Sequence, residues 1–195
     1  MNLLRNRNNV TTYSENKNVY RNLYVSIQNE KIVINAPWYT KIKVLGNNYE
    51  LAVKYKTISA PNLSIEENKI IVTLPNKYKK MQNSQLIEML INKMYSIVSK
   101  KEVERIMEET RIEMQIAPED YEVKKIDGVL AKCINKKITI NPNIAMYSRE
   151  VIKYIVVHEF CHLKYKNHTK SFYDMVATYI PNYEEYANEV NKLKY

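Results

Sequence analysis

The sequence predicts an α+β fold: a small, mostly antiparallel sheet packed on one buried helix, with a β-rich subregion ahead of it. Three observations carry that expectation. Residues 22–74 break into short runs rich in Val, Ile and Tyr, separated by turn-forming residues. Residues 84–116 switch to apolar residues at helical spacing. Residues 149–165 are apolar almost all the way round, which marks a helix surrounded by protein.

The elements follow in order. Residues 1–20, rich in Asn and charge, predict a loose arm. "NLYVSI" (22–27) and "KIVINA" (31–36) flank "QNEK" and predict a hairpin. "KIKVL" (41–45) and "YELAVKY" (49–55) flank "GNN", a second turn signal. "NKIIVTL" (68–74) is one more strand, stopped by Pro75. In the helical stretch Leu86, Leu90, Met94 and Ile97 recur at helical spacing. Ser84 is its expected N-cap, a break is expected near Ser99–Lys101, and Pro118 ends the region. "YEVKKI" (121–126), "VLAKC" (129–133) and "KITIN" (137–141) predict two or three short strands.

The last third is helical. Ser148 is an N-cap, and Glu150 lies in the first turn, where the helix dipole favours an acid. That helix is expected to reach Tyr165, with Asn167 as terminator. Residues 169–180 predict another helix, capped by Thr169 and stopped by Pro181, and a third follows. No internal repeat and no dividing linker is visible. Residues 21–195 are therefore read as one domain, with 21–75 its β-rich part and 84–195 its helical part.

Composition narrows the class. The formal charge is +9, and lysines are scattered over most of the chain, with blocks such as "NKYKK" (76–80). A solvated Lys-rich surface is the preferred reading, and weak nucleic-acid contact is the alternative. Only Gly46 and Gly128 are glycines, which excludes a glycine-rich phosphate loop. Cys133 and Cys161 are too few for a disulfide scaffold. The start, "MNLLRNRNNV", has no signal-peptide core, and no window approaches the ~20 apolar residues of a membrane span. The expectation is a cytoplasmic chain with reduced thiols and no membrane contact.

All three histidines fall within "HEFCHLKYKNH" (158–168). His158 and His162 are four residues apart, so on a helix both imidazoles lie on one face and can bind one ion. Glu159 is turned aside from them, placed to take a proton from a metal-activated water. A catalytic zinc keeps three protein ligands and an open position. His168 is the preferred third ligand, and Glu184, Glu185 or Glu189 is the alternative. Cys161, between the two helical histidines, and Cys133 are read as packing thiols. Tyr147, Tyr154, Tyr165 and Tyr173 lie near the motif, and proximity in sequence does not single one out as an oxyanion donor.

"YIVVHEFCHLKYKNHTKSFYDMVATYIPNY" (154–183) resembles the YgjP-like metallopeptidase domain, related to the SprT-like zincins. His158, Glu159, His162, Asn167, His168 and Phe172 match the family pattern VVHELxHLxxxNHSxxFW in register, and Tyr173 replaces its Trp. Residues 22–37, 44–51 and 136–159 are similar to the family's opening hairpin, its LGxxY segment and the strand and helix before the motif. The chain departs from the family in two places. "LAKC" (130–133) stands where the family has WGSC, and "WYT" (38–40) stands where it has a longer helical insert. The resemblance implies a zincin-like fold, a zinc ion on His158, His162 and His168, and Glu159 as base. The expected function is a zinc metallopeptidase acting on peptides or proteins. The alternatives are a metal-dependent nucleotide pyrophosphatase and a non-enzymatic, metal-stabilised nucleic-acid-binding module.

Overall fold

A computed structural model describes residues 24–28, 31–35 and 41–192. The expected arm at 1–20 and the segment "WYT" lie outside the described residues. Strand β1 (Tyr24–Gln28) pairs antiparallel with β2 (Lys31–Asn35), Val25 opposite Ile34, as the hairpin signal anticipates.

The next elements are β3 (Ile42–Val44), β4 (Asn47–Lys56), β5 (Asn62–Glu66) and β6 (Lys69–Pro75). They form a four-stranded sheet in the order β3-β4-β6-β5. The β3–β4 turn is Leu45–Gly46, with φ of 48° and 81°, and Asn47 already pairs with Val44. Two positive φ values in a two-residue loop suit the right-handed twist of the strands, and Gly46 adopts its value without strain. After a 3-10 turn at Asn76–Tyr78 comes α1 (Ser84–Met114). A second, three-stranded sheet holds β7 (Asp120–Val123), β8 (Ala131–Ile134) and β9 (Lys137–Ile140) in the order β7-β9-β8. A 3-10 turn at Pro142–Met146 leads to α2 (Arg149–Cys161), followed by α3 (Lys170–Tyr179) and α4 (Tyr183–Lys192).

Several expectations need correction. Most strand pairings are antiparallel, as expected, but each of the two larger sheets also holds one parallel pairing, β6 with β4 and β9 with β7. In each case a hairpin returns its second strand between its own first strand and the strand before it. Strand β5 had no place in the sequence reading; it is short, follows Pro61 and exposes Ile65. Helix α1 does not break at Ser99–Lys101. Ser99 is fully buried, and its hydroxyl donates to the Ser96 carbonyl 3.2 Å away, so it is satisfied inside the helix. Asn83, not Ser84, is the N-cap, and its side chain caps nothing. Its amide instead donates to the Tyr55 hydroxyl (3.1 Å) and the Tyr78 carbonyl (2.9 Å), fixing the helix start to the sheet. The other end stops at Gln115, which adopts a left-handed φ of 55°. Thr169 does occupy the N-cap of α3, without a side-chain capping bond.

Two cores result. One packs Ile42, Val44, Ile70, Val72 and Leu74 of the first sheet against Ile87, Ile91, Met94 and Tyr95 of α1. The other packs Val103, Ile106, Met107 and Met114 of the same helix against β9, α2, α3 and α4. Each fully buried Ile, Leu or Phe contributes roughly 1.5–3 kcal/mol. Glu102 and Arg149 tie α1 to the start of α2: Arg149 Nε and a terminal nitrogen donate to the two carboxylate oxygens, each at 3.0 Å. Arg105 also donates to Glu102, at 3.1 Å. These charge-assisted bonds, Arg149 foremost, hold the Glu102 carboxyl below its usual range. The β3–β4 turn braces the same place. Leu45 N donates to the Ala145 carbonyl (2.8 Å) and Gly46 N to that of Met146 (3.3 Å). Among the described residues, no helix is long and apolar enough to cross a membrane.

Candidate metal centre

Helix α2 positions two of the histidines. Ser148 caps it as expected, its hydroxyl accepting from Val151 N at 3.3 Å. Val151, Ile152, Ile155, Val156, Val157 and Phe160 are buried around the helix, so its rotation about its own axis is set by packing on every side. His158 and His162 then fall one turn apart, with ring centroids 5.0 Å from each other.

The helix ends at Cys161, sooner than the expected Tyr165. Leu163 N bonds to the Phe160 carbonyl (3.0 Å) and Lys164 N to that of Cys161 (3.1 Å), three-residue spacings that tighten the last turn. The Tyr165 carbonyl comes to lie 3.0 Å from His162 Nδ1. A proton on Nδ1 donated to that carbonyl leaves the Nε2 lone pair of His162 available to a metal. The chain turns back and brings His168 Nε2 to 2.9 Å from His158 Nε2. One ligand atom from each of His158, His162 and His168 lies within 4.8 Å of the others. A tetrahedral ion with nitrogen bonds of ~2.0–2.1 Å sets its ligands about 3.3–3.4 Å apart, so small ring movements would suffice. Glu184, Glu185 and Glu189 do not join this group.

Aromatic rings hold the cluster. Phe172 of α3, fully buried, lies under all three imidazoles at centroid distances of 4.8, 4.7 and 4.7 Å. Tyr173 stacks on His168 (6.0 Å, 27°) and on Tyr183 of α4 (5.7 Å, 19°), forming a column of three rings. Tyr154 meets His158 edge-on at 5.9 Å, and Tyr186 packs against Tyr154 at 6.3 Å. Of the tyrosines near the motif, Tyr147 is buried in the core, Tyr165 offers its backbone, and Tyr154 and Tyr173 touch the histidines. Sequence reasoning missed Tyr183 and Tyr186. Nothing local signals that α4 folds back on α2.

Glu159 sits beside the histidines and is 6% exposed. Its Oε2 is enclosed and has no hydrogen-bond partner, a costly arrangement unless a water, ion or substrate group completes it. Burial pushes this carboxyl up to about 7. Burial likewise pushes the Tyr154 hydroxyl up to about 12, with smaller contributions from Tyr173, Tyr183 and Glu159. Desolvation, then the neighbouring His162, lowers His168, a shift toward the neutral form that a metal requires. Cys161 is fully buried in the core, and burial pushes its thiol up to about 12. The Cys133 thiol on β8 is raised by burial and then by the charge of Glu159. Neither cysteine belongs to the ligand group. The donor set of three imidazoles and the orphaned carboxylate oxygen beside them fit a metal ion with an activated water.

No curated protein matches the chain by sequence. Solved structures similar to parts of it include two metallopeptidase zymogens. The metallopeptidase zymogen of Pyrococcus abyssi abylysin is 23% identical, with a TM-score of 0.43 over 47% of this chain and 95% of its own. The metallopeptidase zymogen of Methanocaldococcus jannaschii jannalysin is 22% identical, with a TM-score of 0.42 over 46% of this chain and 94% of its own. The family model described as YgjP-like, metallopeptidase domain, matches residues 21–193, nearly the whole length, and the chain belongs to that family.

Proposed function

We propose that the chain is a zinc-dependent peptidase with a zincin-like fold, in which His158, His162 and His168 hold the ion and Glu159 is the general base. One observation carries the reading: three imidazole ligand atoms lie within 4.8 Å of one another next to a buried carboxylate oxygen that has no partner. Family membership supplies the reaction class, hydrolysis of a peptide bond with a metal ion.

When bound, zinc supplies Lewis acidity at the scissile carbonyl and lowers the pKa of a water toward about 7. The protein supplies the rest. His162 is fixed in one tautomer by the Tyr165 carbonyl, and Phe172 keeps bulk water from beneath the rings. Glu159 takes the proton of the attacking water on its unpartnered oxygen and returns it to the leaving amine. A carboxyl near neutrality can do both.

Two variants test the assignment. Glu159→Gln keeps size and fold, so zinc content stays at one per chain while peptide hydrolysis falls by about 10²–10⁴-fold or more. His158→Ala lowers zinc content and hydrolysis together. Elemental analysis and digestion of a peptide library read both. Near wild-type turnover in Glu159→Gln would put the base elsewhere. Absence of bound zinc in metal-replete wild-type protein would remove the site.

A further inference from the structure

The positive charge of the chain is not spread evenly. Residues 84–195 contain 17 Lys and Arg against 16 Asp and Glu, whereas residues 41–80 contain eight Lys against three Glu. Among the described residues, every ion pair lies between residues 102 and 174, and no lysine of 41–80 takes part in one.

Strand register sorts these charges further. Strands β4 and β6 are parallel, with Glu50 opposite Lys69 at one end and Lys56 opposite Pro75 at the other. Glu66 also pairs with Lys69, and Glu67 is in the turn beside it, so all three acids of the segment gather at the first end. Five lysines gather at the second. Lys54 and Lys56 stand two residues apart on β4, and Lys77, Lys79 and Lys80 follow the exit of β6. Asn76 Nδ2 donates to Thr57 Oγ1 at 3.0 Å and ties the two exits together. All five lysines are exposed. Glu50 lies four and six residues from Lys54 and Lys56, about 13–20 Å along the strand, beyond the ~8 Å Debye length at physiological salt.

The N-terminus of α1 points the same way electrostatically. It begins four residues after Lys80, its first turn holds no acid, and Asn83 spends its side chain on Tyr55 and Tyr78 instead of capping. The positive end of the helix dipole therefore adds to the lysines. The nearest acid along the helix is Glu88, and it forms no ion pair among the described residues.

We propose that this end of the first sheet, formed by Lys54, Lys56, Lys77, Lys79, Lys80 and the start of α1, binds the phosphodiester backbone of a nucleic-acid strand. The role is separate from hydrolysis at the histidines and does not depend on it. Lysines act on phosphates as mobile point charges, and contact of this kind needs no base-reading groups. A membrane surface fits less well. Stable membrane attachment takes an apolar insertion in addition to a basic patch, and Met81 is the one exposed large apolar side chain that follows these lysines before α1.

The test is fluorescence anisotropy of a labelled 20-mer oligothymidylate with the full chain, titrated from 50 to 200 mM salt. Wild type is expected to bind with a dissociation constant on the order of 10⁻⁴–10⁻⁶ M at physiological salt. With three to five phosphates contacted, log K should fall against log salt with a slope of about −2 to −3.5. Replacing all five lysines with Gln should weaken binding at least tenfold and flatten the slope, while replacing all five with Arg should restore both. Lys93→Gln, Lys100→Gln and Lys101→Gln together, on exposed α1 positions, should stay within about twofold of wild type. Circular dichroism melts check that each variant is folded. No binding at 50 mM salt, equal binding by the five-Gln variant, or displacement of the oligonucleotide by polyglutamate at equal charge would overturn the proposal. Binding to phosphatidylserine vesicles in preference to the oligonucleotide would overturn it too.

Discussion

Residues 47–114 and 120–161 share one order of elements and one pattern of strand pairing. Each unit lays down a strand, then an edge strand, then a central strand inserted between them, then a 3-10 turn, then a helix. Only the second carries the histidine cluster. The difference lies in what surrounds the helix. The first helix, α1, covers one face of its own sheet and leaves Met89, Ile97 and Ile112 exposed. The second, α2, is walled by the far half of α1, by α3 and by α4, and it buries Glu159 along with its apolar residues. The same wiring can therefore make a scaffold or a site. Enclosure raises the proton affinity of a carboxylate and locks the rings that would hold a metal.

Metal removal should separate the two units most sharply. Zinc at a thousand times its dissociation constant adds about 4 kcal/mol to whatever unfolds with the site. Amide exchange should slow on zinc addition in α2 and α3 and stay unchanged in β4 and β6. Equal protection of both units would make them one cooperative body and erase the distinction.

Gly46→Ala attacks the joint between the units. The new side chain would sit at a φ of 81°, with its Cβ 3.0 Å from the Cβ of Ser148, the cap of α2. A loss of about 2 kcal/mol is expected in thermal unfolding. A neutral effect would show that the turn does not brace α2.

Glu102→Ala removes the tie between α1 and α2, at a cost of about 1.5 kcal/mol, moderated because both arginines are half-exposed. Its pH dependence has a definite sign. The folded carboxyl titrates below the ordinary value of 4.5, so its contribution is complete above that pH and is lost as pH falls through the lowered folded value. The wild type should lose stability more steeply than the variant below pH 4.5. Parallel acid melts would mean that Glu102 is not stabilised by its arginines.

The smallest effect is expected at Tyr173. Its stacking is the lateral support of His168, which, unlike His162, has no backbone carbonyl at Nδ1 among the described residues. Tyr173→Leu should weaken zinc binding about tenfold in competition with a chelator, leaving the melting of the metal-free protein unchanged. Tyr173→Phe should keep wild-type affinity. Equal affinities in all three proteins would leave His168 positioned by the loop alone.

What the sequence made legible was local. Ser148, the apolar circumference of α2 and the four-residue spacing of His158 and His162 each depend on neighbours within a few turns. What it hid was relational. Whether β6 and β9 would lie in the middle of their sheets depends on which strand each hairpin meets, and no residue within "NKIIVTL" or "KITIN" encodes that. Ser99 read as a breaker because its hydroxyl bond to Ser96 is invisible in a linear pattern. Tyr183 and Tyr186 acquire a role only once α4 returns to α2.

The unbroken α1 also sets a distance. Eighteen residues separate Ser84, beside the basic end of the first sheet, from Glu102, where α2 begins its run toward the histidines. At 1.5 Å per residue that is ~27 Å of rigid spacer. A partner held at the lysines and offering a polypeptide to the histidines would have to work across a spacing of that order, about eight residues fully extended. Shorter tethers would gain nothing from binding at both places, and tethers of matching length would gain the most. A helix of fixed length would thus act as a filter on reach, independent of any preference at the scissile bond.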